Sequence, residues 1–572
     1  MARKKLSSYF KDTEYEHCYR ATKYAEDVVS KKIPAGKYTI LACKRQLDDL
    51  RNQTKYSFDP RKAERICRFI ESMPHTKGEW AAKGETVKLE PWQSFTLTCI
   101  FGWVDEKGIR RFTDVYEEIP RKNGKSIKAA GVGNYMLAMD GEHGAEVYSG
   151  ATSEKQAWEV FRPAKIMTEK SPDFKEEFGI QINAKSMVIP WNGSKFEPVI
   201  GKPGDGASPS CWILDEYHEA PDSSQRDTAK TGMGARKQPL LFIITTAGFD
   251  QYSACYDARI ELTKVLEGTV VNDRMFGIIY HFDEKDDWSD PKVLAKANPN
   301  MGVSVSEQFL LDQQQDAINN PAKQNAFRTK HGNQWVGAKT AYFNMERWQK
   351  CGDDKLTIDQ VIDKQAHLGA DLSSHVDFTS IIHLFTEVID GKRHYWVFTE
   401  NYLPQSAIEN EKTGNYRLWQ EQGYINVADG EEIDFQKVED DITEAWDKYP
   451  NIQDVAYDKH KAQQLSQRLR DTGVEMIEYP QQVLTMSPAM KELESAINSG
   501  RLHHNNDPVL TWMMSNVIAK EDRKGNVYPN KERKENKIDG AVSLIMAIGR
   551  ASFNDDDDDT EDFNAFTKNP IV

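Results

Sequence analysis

At 572 residues the chain is long enough for two or three domains, each with its own core. Apolar residues make up 39% and charged residues 28%, as in a water-soluble globular protein. No run approaches the ~18 apolar residues of a membrane span, and the basic N-terminus lacks the apolar stretch of a signal peptide. The seven cysteines are scattered and never spaced C-x-x-C, which fits free thiols in a reducing compartment and gives no zinc site. Net charge is −15, but acids crowd into positions 555–559, 561 and 562, so a local basic track for nucleic acid stays open.

Taken in chain order, residues 1–85 are charged and helical in pattern, with Ile66, Phe69 and Ile70 spaced for one helix face. They are expected to form an adaptor or lid. Residues 86–270 alternate strand and helix: strands at 111–119, 145–150, 210–214 and 240–246, helices at 124–139 and 154–169. Such alternation predicts an α/β domain with a mostly parallel sheet, which binds ligands at the C-terminal strand ends. Residues 271–360 are irregular and rich in Asn, Asp and Pro, including Ala297-Asn298-Pro299-Asn300, and are expected to connect. A second α/β domain is expected over 361–552, with strands at 366–372, 379–385, 394–399 and 455–458. Helices follow at about 460–472 and at 539–551. The tail, 553–572, reads as acidic and disordered.

Two constellations carry chemistry. The first is Ile119-Pro120-Arg121-Lys122-Asn123-Gly124-Lys125-Ser126, between a predicted strand and helix. It differs from G-x-x-x-x-G-K-[ST] in its first position, where Ile119 replaces Gly. Gly124, Lys125 and Ser126 would open a helix whose N–H groups and ammonium hold phosphates, and Arg121 adds a bidentate donor. Downstream, the apolar run ending in Asp215 and Glu216 supplies its complement. Asp215 would position Mg²⁺ with Ser126, and Glu216 would activate water. Thr246, in Thr245-Thr246-Ala247-Gly248, would sense the γ-phosphate. Trp92 and Gln93, in Glu90-Pro91-Trp92-Gln93, offer an aromatic and an amide for adenine, although a plain helix start explains them equally. Arg236 is a candidate arginine finger for a neighbouring subunit, although a surface arginine is the simpler account.

The second constellation is three acids at element ends: Asp371 on the first strand of the second domain, Asp458 ending its fourth, and Asp539 opening the last helix. Each alone is a common turn or cap residue. Together they fit two divalent ions ~3.5–4 Å apart, held by carboxylates from separate elements, with Mg²⁺ or Mn²⁺ suited to hard oxygen ligands. Asp377 is a further acid nearby, ligand or turn former. His503 and His504 would sit near the site or form a polar turn. Strand, hairpin, acid-ended strand and acid-started helix is the layout of a ribonuclease-H-like nuclease.

A P-loop ATPase of the additional-strand (ASCE) type, joined to such a nuclease, resembles the large terminase subunit of tailed double-stranded DNA bacteriophages. The resemblance spans roughly 85–552 and rests on the segments quoted, together with Leu214-Asp215-Glu216-Tyr217-His218, Gly369-Ala370-Asp371-Leu372-Ser373, Asn516 and Asp539-Gly540-Ala541. The altered first loop position is usual in that family. The resemblance implies an ATP-driven motor that translocates DNA into the procapsid and cuts concatemers at the start and end of packaging. By carry-over, Gln93 and the loop residues Arg121, Lys122, Asn123, Gly124, Lys125 and Ser126 bind ATP. Ser126 and Asp215 bind its Mg²⁺, Glu216 is the base, and Thr246 couples hydrolysis to movement. Asp371, Asp458 and Asp539 hold the nuclease metals. Implied partners are double-stranded DNA, the portal protein, a small terminase subunit and further copies in a ring of about five, with no membrane role. The implied location is the host cytoplasm, transiently at the portal vertex and not in the mature virion. Basic stretches at 520–524 and 531–534 would grip the DNA backbone, although their interleaved acids also fit a solvated loop. The competing reading is a helicase-like ATPase with a ribonuclease-H-like module that does not cut.

Overall fold

The computed structural model describes residues 5–201, 206–251, 253–336, 341–373, 377–410, 415–522, 524–531 and 536–553, with backbone alone for 321–322, 459–463 and 553. The acidic tail, Arg523 and the Glu532-Arg533-Lys534 stretch lie outside the described residues. The chain divides into two compact units, Met1–Ile318 with Ala326–Val336, and Asn319–Asn325 with Gly337–Val572. The expected connector over 271–360 is therefore shared between the units rather than separate from both.

The first unit begins with helices α1 (Glu16–Val29), α2 (Lys37–Arg51) and α3 (Pro60–Ser72), followed by α4 (Pro91–Gly102). Asp59 caps α3 by accepting the Arg61 N–H, and Pro60 opens the first turn. Ile66, Phe69 and Ile70 are buried on its inner face, as their spacing predicts. In α4 every residue from Trp92 to Gly102 is buried, so this helix must be covered all round. The N-terminal helices supply that cover and share one core with the sheet. They are thus an integral layer of the first unit, not the adaptor or lid expected.

The sheet of this unit contains β1 (Asp114–Glu118), β2 (Glu146–Ala151), β3 (Gln181–Ile182), β4 (Met187–Ile189), β5 (Ser194–Ile200), β6 (Cys211–Asp215), β7 (Leu240–Thr245) and β8 (Met275–Ile279). Helices α5 (Lys125–Ala138), α6 (Glu154–Glu169) and α7 (Ala254–Glu267) complete the alternation. The spatial order is β8-β1-β7-β6-β2-β5-β4-β3, parallel from β8 through β5 and antiparallel at the short end. Strands β6 and β7 are buried at every residue, the apolar run of a strand covered on both faces. One strand, β7, intervenes between the loop-bearing β1 and the acid-bearing β6, which is the additional-strand arrangement. β8 and the strands of 181–200 fall where no strand was expected: β8 lies in the supposed connector, and β3 and β4 span only two and three residues.

The second unit is built on β9 (Gln365–Asp371), β10 (Thr379–Ile389), β11 (Lys392–Pro404), β12 (Asn426–Ala428), β13 (Ile452–Tyr457), β14 (Met476–Glu478) and β15 (Leu502–His504). Their order is β12-β11-β10-β9-β13-β14, with β15 also paired to β11. β9, β10 and β11 form an antiparallel meander, and β13 lies parallel to β9. β10 and β11 run past the expected 379–385 and 394–399: Glu387–Ile389 and Lys392, where the two strands join, are exposed, whereas Asn401–Pro404 at the far end of β11 are buried. A small hairpin, β16 (Val517–Glu521) and β17 (Val527–Lys531), precedes the closing helix α8 (Asp539–Phe553). α8 lies directly on β9 at Gly369, where a Cβ would clash with the Ser543 carbonyl oxygen. Among the described residues no helix is long and apolar enough to cross a membrane.

Candidate functional site

The loop after β1 is shaped from outside. Ile119 N–H donates to Thr245 O at 2.9 Å, extending the β1–β7 ladder by one residue. Positive φ values fall at Lys122 (70°) and Gly124 (77°), and α5 begins at Lys125. That leaves the first-turn N–H groups of α5 at the loop, where an anion is favoured. Asn123 is fully buried: its Nδ2 donates to Asn298 Oδ1 at 3.0 Å and its Oδ1 accepts the Asn300 N–H at 3.0 Å. Ser304 Oγ donates to Lys122 O at 2.6 Å, and Arg121 N–H donates to Lys330 O at 3.2 Å. The side chain of Asn123 is therefore a clamp, not the nucleotide ligand expected. Trp92 is likewise a core residue, its Nε1 donating to Asn300 Oδ1 at 2.9 Å, so its ring does not face a base. Gln93 accepts the Glu90 N–H in a capping box, yet a Cβ on Gly124 would lie 3.4 Å from Gln93 Nε2. The amide thus sits beside the loop.

Opposite the loop, β6 ends at Asp215 and the chain turns sharply at Glu216, whose φ is 49°. Lys125 Nζ lies 3.0 Å from Glu216 Oε1. Asp215 Oδ1 accepts the Glu216 N–H at 2.9 Å. Burial pushes the Asp215 carboxyl up to about 7, with Lys125 only partly offsetting it. A buried carboxylate so poorly compensated fits a hard cation. Burial also pushes Glu216 upward, but Lys125, His218 and Arg121 overcome it and leave this carboxyl below its ordinary value. Thr246 Oγ1 donates to Glu216 Oε2 at 3.3 Å. Ser126 follows Lys125 on α5 and is half-buried. Lys125, Glu216 and Thr246 thus converge from three elements.

One member of this cluster was quoted in the sequence motif Leu214–His218 but given no role there. His218 Nδ1 is 3.2 Å from Glu216 Oε2 and 3.1 Å from Thr245 Oγ1, and burial lowers its pKa to about 4, leaving a neutral ring. Its place two residues after Glu216 was the available signal. Arg121 extends beside the cluster, 3.9 Å from Glu219. Arg236 does not join it. Its guanidinium is 13% exposed and donates to Ser208 O (2.8 Å), Gly144 O (3.0 Å), Glu142 (3.3 Å) and Glu146 (3.4 Å). Gly144 and Glu146 lie at the N-terminal end of β2, opposite the strand ends that carry the loop and acids. Arg236 is a structural tie, which corrects the arginine-finger expectation.

In the second unit Asp371 and Asp458 directly follow Ala370 and Tyr457, which are register partners on the parallel strands β9 and β13. Both acids bear on the Tyr528 hydroxyl of β17, whose pKa burial raises first and the two carboxylates raise further. Asp371 N–H donates to Ser543 Oγ at 2.9 Å, and Ser543 Oγ donates to Asp539 O at 3.0 Å. That chain fixes the start of α8 against the end of β9. Asp539 is buried, with Oδ2 lacking a hydrogen-bond partner. Burial raises its pKa and Asp377 raises it further, against Lys531 and Lys537. An orphaned buried carboxylate oxygen beside a second acid suits a divalent cation. Among the described residues no group of three acids, histidines or cysteines is gathered closely enough to hold an ion by itself. Lys537 pairs with Asp377, and Gln481 Nε2 approaches Asp371 Oδ1 at 3.5 Å. His503 and His504 are elsewhere: His503 meets His394 at 3.2 Å, and His504 stacks on Trp348 with centroids 4.2 Å apart.

Comparison with known proteins bears on both units. The family model described as terminase large subunit, ATPase domain, matches residues 91–264, and the one described as terminase large subunit, endonuclease domain, matches 269–555. The chain is 28% identical over 506 residues to the terminase large subunit of Enterobacteria phage HK97, covering 86% of this chain and 96% of that one. It is 44% identical over 370 residues to protein YmfN of Escherichia coli K12, covering 63% of this chain and 81% of that one. The crystal structure of the HK97 large terminase aligns over 86% of this chain and 99% of its own at 25% identity, with a TM-score of 0.42. A loop–acid ATPase on an additional-strand sheet, followed by an acid-bearing second unit and matched by both family models, belongs to the large terminase subunits, enzymes of phage DNA packaging with ATPase and nuclease domains.

Proposed function

We propose that ATP is bound at the Arg121–Ser126 loop, with Lys125 and Arg121 on its phosphates and Gln93 beside it. Ser126 and Asp215 hold Mg²⁺, which neutralises phosphate charge when bound. Glu216 orients the attacking water and takes its proton, and Thr246 ties that carboxylate to β7. The observation that carries this reading is Glu216 held between Lys125 Nζ at 3.0 Å and Thr246 Oγ1 at 3.3 Å. In the second unit Asp371, Asp458 and Asp539 would hold Mg²⁺ or Mn²⁺, two ions that polarise the scissile phosphate and ready a water when bound. Hydrolysis would draw double-stranded DNA into the procapsid, and the nuclease would cut concatemers at the start and end of packaging. Portal protein, a small terminase subunit and further copies in a ring of about five are the proposed partners, at the portal vertex in the host cytoplasm.

Plasmid cleavage and ATP turnover on the same samples test the assignment. Asp371→Ala should abolish Mg²⁺- or Mn²⁺-dependent cutting and keep turnover near wild type. Glu216→Gln should lower turnover by roughly 10²-fold or more and keep cutting. ATP turnover without cutting by the wild type in either metal would favour the helicase-like motor instead.

A further inference from the structure

One side chain spans the C-terminal ends of three neighbouring strands and belongs to none of the motifs. Asn333 is fully buried, with φ 55°. Its Nδ2 donates to Tyr280 O, just past β8, at 2.8 Å and to Glu118 Oε1, at the end of β1, at 3.4 Å. Its Oδ1 accepts the Ala247 N–H, just past β7, at 2.7 Å. Bridging three adjacent strands in this way needs two donors and an acceptor on a short side chain that tolerates left-handed backbone, and asparagine supplies all of these. Two residues on, Trp335 Nε1 donates to Glu118 Oε2 at 3.2 Å, and a Cβ on Gly248 would lie 2.9 Å from the Trp335 ring. The segment Ala326–Val336 is therefore seated on the strand ends that serve the ATP site. Along the chain it is flanked on both sides by residues of the other unit.

Ala247 directly follows Thr246, whose hydroxyl reaches Glu216. We infer that Asn333 is a positioning residue for ATP hydrolysis: by fixing Ala247 it fixes Thr246 against Glu216, and it makes turnover depend on how Ala326–Val336 is seated. The inference rests on Glu216 and Thr246 being the hydrolytic pair proposed above. Nucleotide affinity should not depend on the Asn333 carboxamide: Asn123, Asn298 and Asn300 hold the loop, and its ties to Ala326–Val336, from the Arg121 N–H to Lys330 O and from Asn298 Nδ2 to His331 O, use backbone carbonyls that Asn333→Gly keeps.

The test is a double-mutant cycle on the full chain, reading ATP turnover and MgATP affinity for Asn333→Gly, Thr246→Ala and the pair. Glycine keeps the positive φ and removes only the carboxamide. Asn333→Gly should lower kcat about tenfold with affinity within about twofold, and the pair should be no more than about twofold slower than Thr246→Ala alone. Losses that multiply in the pair, or a loss that follows weakened MgATP affinity, would overturn the inference. Thr246→Ala at wild-type rate would overturn the hydrolytic pair and this inference with it. A slow Thr246→Ala beside a wild-type Asn333→Gly would overturn this inference alone. If Asn333→Gly does not fold, Asn333→Ser, too short to reach Ala247, takes its place in the same cycle.

Discussion

Beneath the phosphate loop, Lys128 and Glu117 form an ion pair with both side chains 0% exposed. Lys128 Nζ lies 2.6 and 2.5 Å from the two Glu117 oxygens and 4.8 Å from the Trp92 ring. At an effective dielectric of ~20, charges this close attract by about 6 kcal/mol, while each ion loses several kcal/mol of hydration. The pair thus nets near zero, but its halves are far from neutral. Lys128→Met leaves a buried carboxylate unpaired, at about 3–5 kcal/mol. At ~2.1 cal/mol/K per residue, over a unit of roughly 330 residues, that lowers the unfolding midpoint by roughly 4–7 °C. Lys128→Met with Glu117→Leu removes both charges and should recover most of the loss. Thermal unfolding followed by nucleotide-site fluorescence reads the first unit alone. A harmless Lys128→Met, or a double variant as unstable as the single, would refute the buried-pair reasoning.

Two further outcomes follow from the clamps. Asn123→Ala should leave the Asn300 N–H without its partner, destabilise the loop by roughly 2 kcal/mol and weaken MgATP binding in an isothermal titration. Arg236→Ala should cost about 2 kcal/mol of stability yet leave ATP turnover per folded molecule unchanged, alone or mixed with Glu216→Gln subunits. Rescue in such mixtures that depends on Arg236 would restore the finger.

The fold class of both units was legible in the sequence, whereas the strands at 181–200 and 275–279 were not. The structure brings Lys125, at the start of α5, beside Glu216, which directly follows Asp215 at the end of β6. Asp371 and Asp458 are placed likewise, each at the end of a strand in one parallel pair. The clamps were not legible. Asn123 looks like a loop ligand until Asn298 arrives from 175 residues away, and Arg236 looks free until Glu142 and Glu146 arrive from 94 and 90 residues before it in the chain. Long-range polar partners leave no periodic trace, and short strands such as β3 and β4 carry too few residues for one.

The same partners explain how the loop functions without its first glycine. A glycine there would supply backbone freedom, whereas Ile119 is fully buried in the core and extends the ladder to β7. The turn is displaced to Lys122 and Gly124, and a lysine in left-handed backbone carries strain unless its surroundings hold it. Those surroundings are visible: Ser304 on Lys122 O, Asn298 and Asn300 on Asn123, and Lys330 O on the Arg121 N–H. Rigidity has moved from the loop's own composition to residues 175 to 209 positions downstream, in a region that the sequence reading took for a connector. A motor gains from that placement, because whatever shifts the Asn298–Ser304 and Ala326–Val336 segments must also shift the phosphate loop and the end of β7. Replacing Ile119 with Gly should therefore not improve turnover; it would free a residue that β7 holds in register and remove a buried side chain from the core, and steady-state kinetics would show a lower kcat.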